Sequence, residues 1–387
     1  MTIRLVRTAA LAVKRGHPWV YREGVARPPR GLATGATVEL ADEEGAPLGR
    51  GLWDAGSPIA VRVFDRAAGG ALSGAALGAR VMAAVARRDG RFDAETTAYR
   101  LCNGEGDRVP GLVLDRYGDV AVVRLDTEAW GPHLDAVLAA IEGPLAARGV
   151  RSIGLRVAGE EKKLRPVAGP EPPDRLLVRE RGMAMEVDLG HGQKTGAFLD
   201  QRENRARVRA LARGRGRALN LFSYAGGFSI AAALGGAEQV TSVDVAAAAH
   251  ATAQRSFRAN GVDPTAHPFV SADVFAFLDQ ARARGDRFDL IISDPPSFAP
   301  SERARPRALT AYRRLHAAAA AVLSGGGVLC ASSCSSHVSA EDFVATLDDA
   351  ALGRGDLCLR ELHGQAEDHP TLPAWPEGRY LKFVILG

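Results

Sequence analysis

The chain has 387 residues, of which 46% are hydrophobic and 24% charged, with a formal net charge of +4. This length favours two or three domains, and the composition is that of an ordinary soluble globular protein. The four cysteines form no CxxC pair, which disfavours a disulfide framework or a metal site and favours a reducing, cytoplasmic environment. No apolar run is long enough for a signal peptide or a membrane span. The mild positive charge is weak support for a nucleic-acid partner.

Residues 1–75 are predicted to form a small β-rich module. Short strand-like runs, separated by Gly, Pro and Asp turns, occupy 37–40, 49–53 and 59–64. Before them, aromatic and basic side chains alternate in the segment 16–25, which includes His17, Trp19, Tyr21 and Arg22. This mixture suits base stacking and phosphate contact with RNA, although packing into an aromatic core is an equal alternative for Trp19.

Residues 76–185 are predicted to form a middle α+β domain. The expected helices cover 78–88 and 132–147, and the expected strands cover 112–115, 120–125, 152–157 and 176–181. The stretch 99–111 is interpreted as a turn-rich loop because it contains several Gly, Asn, Asp and Pro residues.

Residues 186–387 alternate between strand and helix. The expected strands cover 218–222, 239–243, 267–270, 288–293 and 327–331, and the expected helices cover 246–260, 274–284 and 308–323. Such alternation predicts an α/β fold with a parallel, doubly wound, Rossmann-like sheet. Ligands of such sheets bind beyond the carboxyl ends of the strands.

Three successive strand ends in this region carry the pattern of an S-adenosylmethionine site. The first ends in a Gly226-Gly227 turn, whose adjacent glycines do not match the G-x-G-x-x-G of NAD-binding folds. Asp244 ends the second strand, where a carboxylate can accept hydrogen bonds from ribose hydroxyls, and Asp273 follows the third, where it can meet the adenine amino group. Both aspartates could instead be helix N-caps. The predicted cofactor residues of these loops are Phe222, Ser223, Tyr224, Gly226, Asp244, Val245, Asp273, Val274 and Asp294.

The fourth strand ends in Asp294-Pro295-Pro296, followed by Ser297. Two prolines in a row give a rigid, extended rim, since each fixes φ and lacks an N–H. Such a rim can face a flat, nitrogen-containing substrate, and Asp294 can hydrogen-bond a base edge or accept a proton. We therefore predict that Asp294 is catalytic and that Pro295, Pro296 and Ser297 contact the substrate.

Cys334 follows the fifth strand, within Ser-Ser-Cys-Ser-Ser. A thiolate there can add to C6 of a pyrimidine and make C5 nucleophilic enough to accept a methyl group. The usual alternative for a free cysteine is a small buried residue. That alternative is preferred for Cys330, Cys102 and Cys358, and the catalytic role is preferred for Cys334.

Two further segments are rich in polar residues. The segment 192–205 leads into a helix and could also be a plain solvated helix start; its members include Lys194 and the predicted cofactor contacts Thr195, Asp200, Gln201 and Arg202. Near the end of the chain, His369 and Glu377 are candidate bases and substrate contacts, or ordinary loop residues. No metal site is predicted.

These motifs together resemble the bacterial 23S ribosomal RNA cytosine-C5 methyltransferases, which have a PUA domain, a middle domain and a class I methyltransferase domain. The matching runs, in family order, are HPWVYR at 17–22, GEGDRVPGLVLDRYGD at 104–119, GQKTGAFLDQREN at 192–204, FSYAGGFS at 222–229, SDPPSF at 293–298, SSCS at 333–336 and DHP…PEGRYLKF at 368–383. The resemblance implies Cys334 as nucleophile, S-adenosylmethionine as methyl donor and RNA contact by the first module. Ser297 departs from the Lys or Ala that relatives often carry after Asp-Pro-Pro. Whether the protein forms a homodimer is left open.

Two other functions remain open on the sequence. An N-methyltransferase acting on an exocyclic amine or an amide would also use Asp-Pro-Pro, but would not need Cys334. A non-catalytic RNA-binding assembly factor would not need the set formed by Asp244, Asp273, Asp294 and Cys334.

Overall fold

The computed structural model describes residues 1–66, 72–157, 164–190 and 195–387, so Lys194 lies outside the described residues. The chain divides into two compact units. The first unit comprises Met1–Val178, Asp188–Ala197 and Glu367–Gly378. The second unit comprises Arg179–Val187, Phe198–Ala366 and Arg379–Gly387. Both modules predicted before residue 185 thus contribute to the first unit, and the boundaries at 75 and 185 stay predictions.

The first unit begins with a five-stranded sheet, which confirms the β-rich character expected of this region. Its elements are β1 (Thr2–Arg4), α1 (Arg7–Arg15), β2 (Trp19–Tyr21), β3 (Thr37–Ala41), β4 (Pro47–Trp53) and β5 (Ile59–Asp65). The strand order is β1-β3-β4-β5-β2, and only β1 and β3 run parallel. The hydrophobic core beside this sheet is formed by apolar side chains that include Leu5, Val13 and Trp53.

A second five-stranded sheet follows in the same unit. Its elements are α2 (Gly74–Ala86), β6 (Ala98–Asn103), β7 (Leu112–Tyr117), β8 (Val120–Leu125), α3 (Leu134–Ala146), β9 (Ser152–Val157) and β10 (Arg165–Ala168). The strand order is β10-β9-β8-β7-β6. Helices α2 and α3 approach closely because small residues meet: a Cβ added to Gly78 would lie 2.5 Å from that of Ala140. Leu52 and Phe64 of the first sheet belong to the same core as these helices.

Strand β6 corrects the prediction of a loop over 99–111 for its first part, residues 99–103. Its sequence, Ala-Tyr-Arg-Leu-Cys-Asn, looks turn-like because of its polar residues, but Arg100 is buried and pairs with Asp115 of β7 at 2.8 Å. A buried ion pair thus replaces the apolar alternation that usually marks a strand. A two-stranded sheet of β11 (Arg175–Glu180) and β12 (Met183–Asp188) follows where the chain passes into the second unit.

The second unit contains the predicted doubly wound sheet. Its helices are α4 (Arg202–Leu211), α5 (Gly227–Gly235), α6 (Ala247–Ala259), α7 (Val274–Arg284), α8 (Arg305–Ala321), α9 (Ala340–Val344) and α10 (Asp349–Leu352). Its strands are β13 (Arg217–Leu221), β14 (Gln239–Asp244), β15 (Phe269–Ser271), β16 (Phe288–Ser293), β17 (Leu323–Ser333), β18 (Leu359–His363) and β19 (Lys382–Leu386).

The strand order is β15-β14-β13-β16-β17-β19-β18, with β13 to β17 parallel and β19 antiparallel to both of its neighbours. This confirms the Rossmann-like α/β fold. The order reverses beside β13, so β13 and β16 flank the topological switch point where such folds bind ligands. No helix in the described ranges combines the length and apolarity needed to cross a bilayer.

Candidate active site

The strand register places the predicted site residues of the second unit along one edge of the sheet. Leu221 of β13 pairs with Val243 of β14 on one side and with Ser293 of β16 on the other. Ser293 in turn pairs with Ala331 of β17. The first residues beyond this row of four, one per strand, are therefore Phe222, Asp244, Asp294 and Ser332. Side chains separated by up to 110 residues in the sequence meet at the carboxyl edge because parallel strands end together.

The loop between β13 and α5 has an unusual backbone. Phe222 and Tyr224 have φ values of 57° and 46°, in the left-handed region that side chains other than glycine rarely adopt. Gly226 has φ 76°, and a Cβ at this position would lie only 2.6 Å from that of Ala253. Such strain is typical of ligand-binding loops. The loop ends at the N-terminus of α5, where backbone N–H groups favour negative charge.

Asp244 holds this loop in place. Its Oδ2 accepts a hydrogen bond from the backbone N–H of Tyr224 at 2.8 Å, and its Oδ1 accepts one from Ala246 at 2.9 Å. A carboxylate oxygen can accept more than one hydrogen bond, so acceptor capacity remains for ribose hydroxyls. The next side chain, Val245, is 73% exposed. An exposed valine beside a ligand-competent carboxylate suits the flat face of a nucleoside base.

The residues that follow β15, the third predicted strand, offer less surface to a ligand. Asp273 is the N-cap of α7, and its Oδ1 accepts a hydrogen bond from the backbone N–H of Ala276 at 2.9 Å. The N-cap alternative is therefore present in the structure. Asp273 is exposed, whereas Val274 is only 3% exposed and belongs to the core. Asp273 keeps a surface for an adenine amino group, and Val274 offers little side-chain surface to a ring.

Asp294 is oriented by the amide of Gln201. The Gln201 Nε2 donates at 3.0 Å both to Asp294 Oδ1 and to Ser332 Oγ, and Asn204 Nδ2 donates at 2.7 Å to Gln201 Oε1. Gln201 is 3% exposed and Asn204 is fully buried, so the Asp294 carboxylate is held by a rigid polar chain.

The Asp-Pro-Pro-Ser rim continues from this carboxylate. Pro295 is buried, while Pro296 and Ser297 are exposed. Ser297 Oγ lies 3.0 Å from Ser335 Oγ, which connects the rim to the loop that carries Cys334. The structure thus brings together the loops that follow β16 and β17.

Cys334 follows β17 and is partly exposed, unlike Cys330 within the strand. Burial raises the pKa of the Cys330 thiol, which makes it unreactive. The loop around Cys334 is fixed by Tyr312 of α8, whose hydroxyl donates to Ser333 Oγ at 2.9 Å and lies 3.1 Å from Ser335 Oγ. Tyr312 was missed by the sequence analysis because it stands in an Ala-rich helix without a motif.

Lys382 at the start of β19 is a second residue that the sequence reasoning did not assign. It pairs with Ser333 across the two strands and is 3% exposed. Its Nζ donates to the carbonyl of Ser335 at 2.6 Å and to that of Tyr380 at 2.8 Å. Burial lowers the pKa of Lys382 to about 8, and the charge of Cys334 acts in the opposite direction. A buried ammonium thus lies next to the candidate nucleophile.

Three other predicted cofactor residues occupy internal positions. Asp200 is 3% exposed, and its Oδ2 accepts a hydrogen bond from the Tyr380 hydroxyl at 2.7 Å. Arg202 is 1% exposed. Thr195 belongs to the first unit, where its hydroxyl donates to Asp115 at 2.5 Å. These side chains support the loops in which they stand, and their cofactor contacts stay predictions.

His369 and Glu377, the candidate bases, also belong to the first unit. His369 is 2% exposed, with Nδ1 3.0 Å from Asp368. Glu377 lies 3.3 Å from both His17 and the Tyr21 hydroxyl. Burial acts to raise the pKa of Glu377, but the hydrogen bonds from His17, the backbone and Tyr21, together with the charge of His17, outweigh it and the pKa is lowered. A lowered pKa makes this carboxylate a weaker base.

The aromatic residues near the N-terminus are engaged within the first unit. Trp19 Nε1 donates to Glu105 at 2.7 Å, and its ring lies 5.3 Å from that of Trp375. The Arg22 guanidinium donates to the carbonyls of Asp54 and Ser57. Trp19 is therefore half-buried and packed against aromatic neighbours, and two of the three guanidinium nitrogens of Arg22 are already engaged by carbonyls.

The chain is similar to known protein families and to methyltransferases of other organisms. A family described as S-adenosylmethionine-dependent methyltransferase matches residues 158–374, and a PUA-like domain matches residues 3–66. The chain is 39% identical over 400 residues to the ribosomal RNA large subunit methyltransferase of Deinococcus radiodurans, covering 100% of this chain and 97% of the relative. It is 36% identical to the ribosomal RNA large subunit methyltransferase I of Klebsiella pneumoniae, covering 95% and 93%, respectively.

Two solved structures are similar over the whole chain, each with 26% sequence identity. One is a protein from Streptococcus mutans assigned as a methyltransferase dependent on S-adenosylmethionine, with a TM-score of 0.88 over 100% of this chain and 99% of that one. The other was solved in complex with S-adenosylhomocysteine and has a TM-score of 0.89 over the same shares.

Proposed function

The chain belongs to the S-adenosylmethionine-dependent ribosomal RNA large subunit methyltransferase family, and on this basis we propose that it methylates C5 of a cytosine in 23S ribosomal RNA. The observation that carries the proposal is the partly exposed Cys334 at the end of β17, on the sheet edge that also carries Asp294. A nucleophile is needed for methylation at carbon but not for methylation at an exocyclic nitrogen.

The residues at the switch point fit the methyl donor. The strained loop from Phe222 to Gly226 would let backbone approach the ligand, Asp244 would accept hydrogen bonds from the ribose hydroxyls, and the exposed Val245 would pack against the adenine. Asp273, which is exposed, would accept a hydrogen bond from the adenine amino group. S-adenosylmethionine held by these residues would supply the methyl group from its sulfonium, leaving the neutral thioether S-adenosylhomocysteine.

Cys334 provides the nucleophile. Its thiolate adds to C6, forming a C–S bond and moving the π electron pair of the C5–C6 bond to C5, which then takes the methyl group. A base removes the C5 proton, the electron pair of that C–H bond restores the C5–C6 double bond, and the thiolate leaves with the C–S pair. Asp294, fixed by Gln201, is oriented to accept a hydrogen bond from the cytosine amino group. The target base must leave its stack to reach Cys334.

RNA contact is assigned to the first unit, at a pair of arginines. A Cβ added to Gly16 would lie 3.8 Å from Arg66 Nη1 and 4.0 Å from Arg108 Nη1, so both guanidiniums face the same point. No ion pair within the described part of the chain involves either of them. Burial, and then the charge of Arg66, lowers the pKa of Arg108. Two like charges without a carboxylate between them favour a phosphate group.

The cellular setting follows from the proposed substrate. Ribosomal RNA is made and assembled in the cytoplasm of bacteria, so we place the protein there. A homodimer is compatible with this role but is not needed by it, because the residues named above come from one chain.

The test is to incubate the protein with 23S ribosomal RNA and methyl-labelled S-adenosylmethionine, digest the RNA and separate the nucleosides. The expected product is 5-methylcytidine. Label in N4-methylcytidine, or in another N-methylated nucleoside, would support the N-methyltransferase instead. No incorporation together with no binding of S-adenosylmethionine in titration calorimetry would support a non-catalytic assembly factor.

A further inference from the structure

The ammonium group of Lys382 is buried without a counter-ion. The residue is 3% exposed, and Nζ donates to two neutral acceptors, the carbonyl oxygens of Ser335 and Tyr380. No carboxylate among the described residues pairs with it. Burying an ammonium costs free energy unless an anion accompanies it, so an unpaired lysine at this depth needs an explanation.

The candidate anion is the thiolate of Cys334, the residue that precedes Ser335. Strand pairing places the Lys382 backbone directly opposite Ser333, and its Nζ donates to the Ser335 carbonyl, so Lys382 is fixed against the chain on both sides of Cys334 and its ammonium lies at the residue that follows it. Cys334 is also the one charge that raises the pKa of Lys382 against the effect of burial.

Other titratable groups around this loop do not replace that interaction. Tyr312 of α8 contacts Ser333 and Ser335 through its hydroxyl, and burial raises its pKa, so it stays neutral near pH 7. On the β16 side, Asp294 is held by Gln201. Ahead of α4, Asp200 accepts its hydrogen bond from Tyr380. His337, three residues after Cys334, lies 3.5 Å from Glu302. Lys382 of β19 is therefore the cation assigned to Cys334.

We propose that Lys382 is the counter-ion of the Cys334 thiolate and keeps the nucleophile ionised at neutral pH before RNA binds. In this state the cysteine has lost its proton to solvent, and the ammonium retains its own. The third N–H of the ammonium is left to donate to the thiolate, since the other two donate to carbonyl oxygens. The positive and negative charges then balance. The inference rests on the proposed function in taking Cys334 as the nucleophile. Lys382 is a positioning residue, since it acts on Cys334 and not on the base.

The consequence is a thiol that reacts at lower pH than an ordinary cysteine. Thiolates, and not thiols, are alkylated, so the alkylation rate follows the ionised fraction. A free cysteine is half ionised at about pH 8.5. With the ammonium beside it, Cys334 is expected to reach half of its maximal rate at least one pH unit below that value, and the loss of the ammonium is expected to reverse this.

The experiment measures the iodoacetamide alkylation of Cys334 against pH, by mass spectrometry of its peptide, in the full chain carrying Cys358→Ser. This background removes the exposed cysteine, while Cys102 and Cys330 are buried. Lys382→Met, which removes the charge, is expected to raise the midpoint by at least one unit and to slow alkylation at pH 7 by about tenfold or more. Lys382→Arg keeps the charge and is expected to stay closer to wild type.

Val384→Ala is the matched control, because Val384 is a fully buried residue of the same strand and carries no charge. It is expected to lower stability without moving the midpoint. Equal midpoints in wild type and Lys382→Met, or an equal shift in Val384→Ala, would overturn the proposal. If Lys382→Met fails to fold, the pH midpoint of Cys334 ionisation is measured in the folded protein, from the ultraviolet absorbance of the thiolate in wild type minus that in Cys334→Ser. A midpoint at or above about pH 8.5 refutes the proposal.

This test is independent of methyl transfer. A low midpoint that depends on Lys382, found in a protein that forms no 5-methylcytidine, would support the ion pair and contradict the proposed function. An ordinary thiol midpoint in a protein that does form 5-methylcytidine would support the proposed function and contradict the ion pair.

Discussion

At the scale of single residues, Asp244 has two tasks. Its carboxylate binds the backbone of Tyr224 and Ala246, and in the proposed function it also binds the ribose of the methyl donor. Asp244→Ala should therefore raise the dissociation constant for S-adenosylmethionine by about ten- to a hundredfold, because hydrogen bonds to a charged group contribute roughly 1.5–3 kcal/mol. Isothermal titration calorimetry measures this.

The matched control is Asp263→Ala. Asp263 accepts a similar hydrogen bond, 2.9 Å from the backbone N–H of Thr265, but lies outside the row of strand ends. It should leave the dissociation constant unchanged. An unchanged constant in Asp244→Ala as well would mean that Asp244 is only a structural cap.

His316 of α8 should make the stability of the second unit depend on pH. It is fully buried, its Nδ1 lies 3.0 Å from Thr346 Oγ1, and burial lowers its pKa to about 4 from 6.5. Between pH 4 and pH 6.5, His316 is protonated in the unfolded chain but stays neutral in the folded chain. The free energy of unfolding therefore falls as the pH is lowered from 6.5 towards 4. The loss should be about 2–3 kcal/mol, from roughly 1.4 kcal/mol per pH unit.

Urea unfolding of wild type and His316→Phe at pH 7 and pH 4.5 tests this. The phenyl ring keeps the stacking on Tyr312 but cannot bind a proton. The wild type should lose more stability on acidification than the variant, and the two curves running in parallel would contradict the assignment. The carboxylates that titrate in this range are common to both proteins and cancel in the difference.

Residue roles were predictable where a strand end carried a recognisable chemical group. Asp244, Asp294 and Cys334 stand at the carboxyl edge as expected, because apolar runs mark parallel strands and the next polar residue marks their ends. Tyr312 and Lys382 were not predictable in this way. Their importance comes from contacts with residues 21 to 49 positions away, which no local pattern records.

At the scale of elements, the loop between β13 and α5 depends on a glycine. Gly226→Ala should destabilise the second unit by more than the ~1–2 kcal/mol cost of a left-handed residue, since the new Cβ would be 2.6 Å from that of Ala253. It should also weaken S-adenosylmethionine binding, because the loop must shift. Thermal unfolding and calorimetry measure the two effects.

Gly261→Ala is the control for the backbone cost alone. Gly261 has φ 72°, close to the 76° of Gly226, and a Cβ there would have nothing within 4 Å. It should cost about 1–2 kcal/mol and leave binding unchanged. Equal effects of the two substitutions would show that the loop has room to adapt.

Apolar runs predicted most central strands of the second unit, but β19 was not predicted although all five of its residues are buried. Strand β16 was predicted with the observed bounds, Phe288–Ser293, because five of its six residues are buried. Strand β18, Leu359–His363, was missed because it forms an exposed sheet edge without apolar alternation. Strand β6 was missed for another reason, since its buried Arg100 is paired with Asp115. Ion pairs and the position of a strand at a sheet edge depend on the tertiary structure, and the alternation of apolar and polar residues along a strand does not reveal them.

At the scale of the whole molecule, the division into units does not follow the sequence. Residues Glu367–Gly378 belong to the first unit, although the chain before and after them belongs to the second. Asp368 explains this, since its Oδ2 accepts from the backbone N–H of Arg100 at 2.8 Å and its carbonyl accepts from Arg88 at 2.6 Å. A composition change near residue 185 cannot reveal such a return of the chain.

The shared core also affects how RNA binding can be tested. Removing residues 1–75 would delete Leu52, Phe64 and Leu72 from the core of the first unit, so the truncated chain should not fold normally. Point substitutions are the cleaner experiment.

Arg66→Ala with Arg108→Ala should weaken RNA binding at low salt and reduce the slope of log affinity against log salt by about 1–2, as expected for the loss of one or two phosphate contacts. The turnover number at saturating RNA should change little. Arg148→Ala is the control, since Arg148 is already paired with Asp89 at 2.7 Å. An equal salt slope in the double variant and the control would assign RNA contact to another surface.

The central claim is that Cys334 forms a covalent bond with the target base, and the most direct measurement is trapping with RNA that contains 5-fluorocytosine. Fluorine at C5 cannot leave as a proton, so the protein should remain attached to the RNA after methyl transfer and migrate as a denaturation-resistant complex. Wild type and Cys330→Ala should form this complex. Cys334→Ala should form none, with methyl transfer reduced by more than ~10⁴-fold and S-adenosylmethionine affinity retained. A complex in Cys334→Ala, or full activity without any complex in wild type, would contradict the account.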